Sequence, residues 1–75
     1  GLYIIAKGDE NKLSLGLFNI SPDEIERPEI SLGESFASAD FYNTKGTLEK
    51  ETVTLSSPLP PYGFALVTLE KYKVQ

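Results

Sequence analysis

The stretch Leu13-Ser14-Leu15-Gly16-Leu17-Phe18-Asn19-Ile20 constrains this chain more than any other. Leucine recurs at every second position, so in an extended backbone Leu13, Leu15 and Leu17 share one face while Ser14 and Gly16 take the other. A helix would scatter the same leucines around its circumference. The segment is therefore a strand with one face on a core, and it reads as central in its sheet. Just upstream, residues 2–7 are β-branched and aromatic, and Gly8-Asp9-Glu10-Asn11 turns the chain into the leucine strand. The pair reads as a hairpin with a four-residue connection.

The rest of the chain repeats this grammar. Ser21-Pro22-Asp23-Glu24 has the composition of a helix start, but Pro28 leaves space for no more than one turn, so a turn is expected instead. Residues 25–32 then read as an acidic strand in which Ile30 and Leu32 alternate. Pro28 cannot donate to a ladder, which places that strand at an edge or a bulge. In residues 36–42, Ala37, Ala39 and Phe41 share one face, and Ser38, Asp40 and Tyr42 the other. Asn43-Thr44-Lys45-Gly46 is a turn in which Gly46 is free to take a positive φ. Residues 47–51 are a short exposed strand or loop, and residues 52–56 a strand with Val53 and Leu55 facing the core.

Pro58-Leu59-Pro60-Pro61-Tyr62-Gly63 is stiff and extended, because prolines fix φ and cannot extend a central ladder. It leads into a last strand, residues 64–69, with Ala65, Val67 and Leu69 on one face and Phe64, Leu66 and Thr68 on the other. Residues 71–75 read as a fraying tail. Six or seven short strands at intervals of about ten residues define an all-β fold, a small antiparallel sandwich or barrel in one domain over residues 1–75.

Size bears on how such a domain is held together. A chain of 75 residues buries only about 60% of the surface that its unfolded form exposes. Small folds compensate with disulfides or a metal, and this sequence has neither cysteine nor histidine. The expectation is a piece of a larger chain that leans on a neighbour. Seven basic and eleven acidic residues, interspersed, give a net charge of −4. That balance argues against nucleic acid, which requires a concentrated basic surface. No apolar run approaches the roughly 18 residues of a membrane-spanning helix, and absent cysteines do not fix the compartment.

Catalytic chemistry finds no foothold. A serine nucleophile needs a base, usually histidine, and there is none. The acidic residues fall mostly in 23–34 and 49–51, among turn and edge positions. A solvated surface explains them better than a glycosidase pair, which needs enclosing apolar walls. Asp9-Glu10-Asn11 lacks the ligand number of a calcium loop. No catalytic, cofactor-binding or metal-ligating residue is assigned, and no cofactor is expected. Asn19-Ile20-Ser21 fits the glycosylation sequon, although an asparagine at a strand end is usually a turn residue. Among four tyrosines and no tryptophan, Tyr42 and Tyr62 lie beside turns. They are the surface or interface candidates, either capping the sandwich and contacting a neighbour or stacking on sugar rings.

Three segments in order carry a family resemblance. Leu15-Gly16-Leu17-Phe18-Asn19-Ile20-Ser21 resembles the alternating-hydrophobic, Phe-Asn, hydrophobic, Ser strand of glycoside hydrolase C-terminal domains. Asp40-Phe41-Tyr42-Asn43-Thr44-Lys45-Gly46 is similar to the Asp-Leu-Trp, turn, Gly strand end that follows there. Leu59-Pro60-Pro61-Tyr62-Gly63-Phe64-Ala65-Leu66 is similar to the closing Pro-Pro-His-Gly strand. Such domains follow the catalytic barrel in α-galactosidase-like and, more loosely, α-amylase-like enzymes. The resemblance implies a β-sandwich with Greek-key features. It also implies a non-catalytic accessory role, with the catalytic domain of the same parent chain as partner. A stand-alone module binding carbohydrate or protein is the alternative. Tyr42 stands where the family often has Trp, and Tyr62 where it often has His. An accessory role predicts one apolar surface left bare, and a uniformly polar surface would count against it.

Overall fold

The computed structural model describes residues 1–72. Seven strands form in chain order: β1 (Leu2–Gly8), β2 (Lys12–Asn19), β3 (Glu29–Ser31), β4 (Ser38–Tyr42), β5 (Gly46–Glu49), β6 (Thr52–Leu55) and β7 (Phe64–Glu70). They make two antiparallel sheets, one ordered β1-β2-β7-β4 and the other β3-β6-β5. The fold is thus an all-β sandwich. Its Greek-key character lies in β4 to β7: β5 and β6 cross to the smaller sheet, and β7 returns to lie beside β4.

The leucine strand β2 is central, between β1 and β7, as its alternation predicts. Leu15 and Leu17 meet Val67 and Ala65 across the ladder, and all four are buried. Val53, Leu55, Ile30, Phe36 and Leu59 close the core from the other side. Residues 25–32 do not form one continuous strand. Pro28 has no N–H, so only Glu29–Ser31 pairs with β6, at an edge. Ile25 is tied separately, through a bridge to Leu59. Residues 47–51 resolve as β5 and a tight hairpin to β6, with Lys50 at φ 54°. The first hairpin is one residue tighter than expected, since Gly8 belongs to β1. Phe36 and Ala37 precede β4 rather than belonging to it, although Phe36 is buried. Of the tail, Lys71 donates its N–H to the Asn11 carbonyl at 2.9 Å, and residues 73–75 lie outside the described residues.

Gly46 acts differently from the sequence expectation. Positive φ falls on Asn43 (53°) and Tyr62 (57°), not on Gly46 or Gly63. Gly46 is required by close approach: a Cβ there would sit 2.6 Å from the Thr54 carbonyl oxygen and 2.7 Å from the Phe41 ring. At Gly63 a Cβ would meet the Pro60 ring at 2.7 Å. The Pro60–Gly63 turn is closed by the Gly63 N–H donating to the Pro60 carbonyl at 2.9 Å. Tyrosine at positive φ is strained.

Asn19 ends β2 and is the buried polar residue of the core edge, 1% exposed. Its Nδ2 donates to the carbonyls of Asp23 (2.7 Å), Leu59 (3.1 Å) and Pro60 (3.0 Å). Its Oδ1 accepts from the Ser21 N–H at 3.0 Å and the Ser21 hydroxyl at 2.8 Å. One side chain thus ties the β2–β3 loop to the proline-rich segment before β7. A nitrogen held by three carbonyls inside the fold is not a glycan acceptor, so the sequon reading fails in the folded chain.

Candidate functional site

The two outer faces of the sandwich differ in kind. On the three-stranded sheet, the register aligns Glu29, Thr54 and Thr47 in one row and Ser31, Thr52 and Glu49 in the next. That face is polar throughout. On the four-stranded sheet, strand alternation and register build four cross-strand rows. At one end run Lys12, Glu70 and Ser38, then Lys7, Ser14, Thr68 and Asp40. The Lys12 Nζ reaches a Glu70 carboxylate oxygen at 3.9 Å, an exposed pair worth little. Then the chemistry changes. Ile5, Gly16, Leu66 and Tyr42 form the third row, and Tyr3, Phe18 and Phe64 the fourth.

These last two rows are the candidate site. The Tyr3 and Phe18 rings lie 6.5 Å apart and tilted by 49°, and Phe18 stacks on Phe64 at 6.3 Å and 28°. Such spacing lies within the range of attractive ring pairs. Tyr3 is 54%, Tyr42 66% and Phe64 48% exposed, and Ile5 and Leu66 are exposed beside them. At roughly 200 Å² per ring, the three most open rings alone leave about 300 Å² bare. That already matches the largest patch of an ordinary monomer. A shallow depression of about 350 Å³ lies over Gly16, bounded by Ile5, Phe18 and Leu66. Gly16 creates it by lacking a side chain, and the Phe18 ring leans over the gap, 3.1 Å from where a Cβ would stand.

Of the two residues singled out from sequence, Tyr42 belongs to this face, directly opposite Leu66 and diagonal to Phe64. Tyr62 projects from the turn two residues before Phe64 and is 72% exposed. Neither ring lies over the core of this chain. Tyr3, Ile5 and Phe18 were missed as site residues. Their outward alternation was readable, but only the register shows that they adjoin Phe64 and Leu66.

Electrostatics add little at this face. Asp9, in the β1–β2 turn at the polar end, has its carboxyl held below the usual range. Its Oδ1 accepts the N–H groups of Asn11 (2.7 Å) and Lys12 (2.8 Å). Among the described residues no three His, Cys, Asp or Glu side chains are grouped to hold a metal ion. A cleft lies beside the site, between the Asn43–Lys45 turn and the proline-rich segment. There the Asn43 Nδ2 donates to the Phe64 carbonyl at 2.8 Å, pinning the turn to β7.

Compared with known proteins, the chain matches no family model, no curated protein and no solved structure.

Proposed function

We propose that this chain is a non-catalytic accessory β-sandwich whose four-stranded outer face packs against a larger body. In the reading that the sequence resemblance suggests, that body is the catalytic barrel of a glycoside hydrolase in the same polypeptide. One observation carries the proposal: a polar outer face on one sheet and a contiguous aromatic and aliphatic face on the other. A sandwich that works alone has no use for six apolar side chains on a solvated surface, and covering them removes water from each. The strained Tyr62 fits the same reading, since an exposed ring at positive φ costs energy without filling the core.

The test uses the native polypeptide that carries this sequence, detected by an antibody to the segment. A mass several times 8.3 kDa, with glycosidase activity in the same band, supports the reading. Leu66→Asp in that polypeptide should release the sandwich to limited proteolysis while leaving the active-site chemistry in place. A native band near 8.3 kDa overturns it.

The ring row favours a second reading. Tyr3, Phe18 and Phe64 lie beside a row of hydrogen-bonding side chains, Lys7, Ser14, Thr68 and Asp40, separated by the depression over Gly16. Rings beside donors and acceptors suit a stand-alone carbohydrate module. Calorimetric titration of the chain with oligosaccharides, and of Phe64→Ala and Tyr42→Ala, separates the two. Heat that disappears in both variants supports sugar binding, and its absence in the parent chain removes it.

A further inference from the structure

Strand β1 is the longest edge strand, with neither proline nor an acidic residue within it. Of the four edge strands, β3 has three residues and adjoins Pro28, β5 has four, and β4 has five with Asp40 at its centre. β1 has seven, contains no proline, and carries a single charge, Lys7. Long apolar edges are templates for pairing with another strand.

The direction of its free backbone groups follows from the hydrogen bonds at both ends. Ile20 N–H donates to the Gly1 carbonyl at 3.0 Å, and Asp9 N–H to the Lys12 carbonyl at 2.9 Å. Odd-numbered residues therefore bond toward β2. Leu2, Ile4, Ala6 and Gly8 turn their N–H and C=O groups to the open edge. The same even-numbered residues point their side chains to the inner face, yet Ile4 is 41% exposed although its partner Leu17 is fully buried. The smaller sheet does not reach under β1. The strand is largely apolar on both faces, as strands covered on both faces are, yet of its inner residues only Leu2 packs on the core.

We infer that β1 pairs antiparallel with β1 of a second copy of this chain, joining two four-stranded sheets into one of eight strands. The sequence fits itself in this register. Ile5 is the midpoint of Leu2–Gly8, so a two-fold axis through Ile5 lays the whole strand on the whole strand. The open groups of Ile4 then meet those of Ala6 in the second copy, and those of Leu2 meet Gly8. On the outer face Ile5 meets Ile5, and each Tyr3 lies opposite the Lys7 ammonium of the other copy, a ring against a cation. No like charges face each other. The pairing is isologous and closes at two copies, leaving β4 as the edge at each end. It uses the backbone edge of β1, whereas the docking reading uses the outer face. Tyr3 and Ile5 belong to both, and the Phe64–Leu66–Tyr42 part of that face is not used in the pairing.

Sedimentation equilibrium of the chain over a concentration series tests it, together with amide exchange of the same samples. The expected result is a mass of twice 8.3 kDa, with the Leu2, Ile4, Ala6 and Gly8 amides gaining protection as the dimer forms. Ala6→Pro removes one edge-facing N–H without touching the β1–β2 ladder, and it should restore the monomer mass. A chain that stays monomeric at millimolar concentration overturns the inference. So does a dimer whose even-numbered β1 amides still exchange freely. The exchange result on the parent chain decides the matter even if the proline variant does not fold.

Discussion

Replacing Asn19 with alanine removes the one buried side chain that ties two loops to the end of β2. Five hydrogen bonds involve it, three donated to backbone carbonyls and two accepted from Ser21. The carbonyls are not orphaned by the change. Leu59 still accepts from Ile25 and Pro60 from Gly63, while Asp23 keeps the Ser21 hydroxyl. The loss is therefore nearer the net value of a hydrogen bond, about 1 kcal/mol, than a full desolvation penalty. Geometry is shared among the contacts, so the total should be about 3 kcal/mol. A domain of 75 residues has only about 4–11 kcal/mol of stability.

The thermal midpoint should accordingly fall by about 12–24 °C. Urea and thermal denaturation followed by circular dichroism measure it. Asn19→Asp makes a sharper comparison, because a carboxylate oxygen then faces the carbonyls of Asp23, Leu59 and Pro60. Burial against those oxygens raises its folded pKa. Its stability relative to Asn19→Ala is then highest below the unfolded Asp range and is lost as pH rises through the folded pKa. At neutral pH Asn19→Asp should be the less stable of the two. An Asn19→Ala stability within about 0.5 kcal/mol of the parent would refute this role for Asn19.

Other perturbations separate close packing, strain and charge. Gly46→Ala drives a methyl into the Thr54 carbonyl and should cost about 1–3 kcal/mol by urea denaturation. Tyr62→Gly relieves a left-handed backbone and should stabilise the chain by up to about 1 kcal/mol, and a loss of stability would mean that the ring packs on the domain. Leu55→Ala in the core should cost about 2–5 kcal/mol, enough to leave a measurable unfolded fraction. The depressed Asp9 pKa gives stability that is present above the ordinary Asp range and lost as pH falls through the folded value. The difference between parent and Asp9→Asn should therefore shrink on acidification, and a gap independent of pH would contradict the Asn11 and Lys12 hydrogen bonds as its source.

Alternation along single strands was legible in the sequence, apart from Ala37, which lies ahead of β4 and is exposed. The inward sets Leu15–Leu17, Ala39–Phe41, Val53–Leu55 and Ala65–Val67–Leu69 all face the core as the period-two pattern requires. Neighbour relations were not legible. β7 inserts between β2 and β4 although β2 ends at Asn19 and β7 begins at Phe64, and no local pattern encodes such a pairing. The aromatic row is hidden for the same reason, since Tyr3, Phe18 and Phe64 come from three strands. Local composition also misassigned backbone roles. Glycine invites a reading of positive φ, yet at Gly46 and Gly63 what matters is the space that a Cβ would need. Asn19 reads as a turn residue or a sequon, and only the loops folded around it reveal its five hydrogen bonds.

The most direct test of the docking face is hydroxyl-radical footprinting of Tyr42, Phe64 and Leu66. It compares the native polypeptide carrying this sequence with the 75-residue chain alone. In the isolated chain all three side chains are open and should label readily. If the outer face is packed on a neighbour, labelling of the three should fall several-fold in the native polypeptide while Tyr72, exposed elsewhere, is unchanged. Equal labelling in both would mean that the apolar face meets water in the working protein, and the accessory role would fall with it.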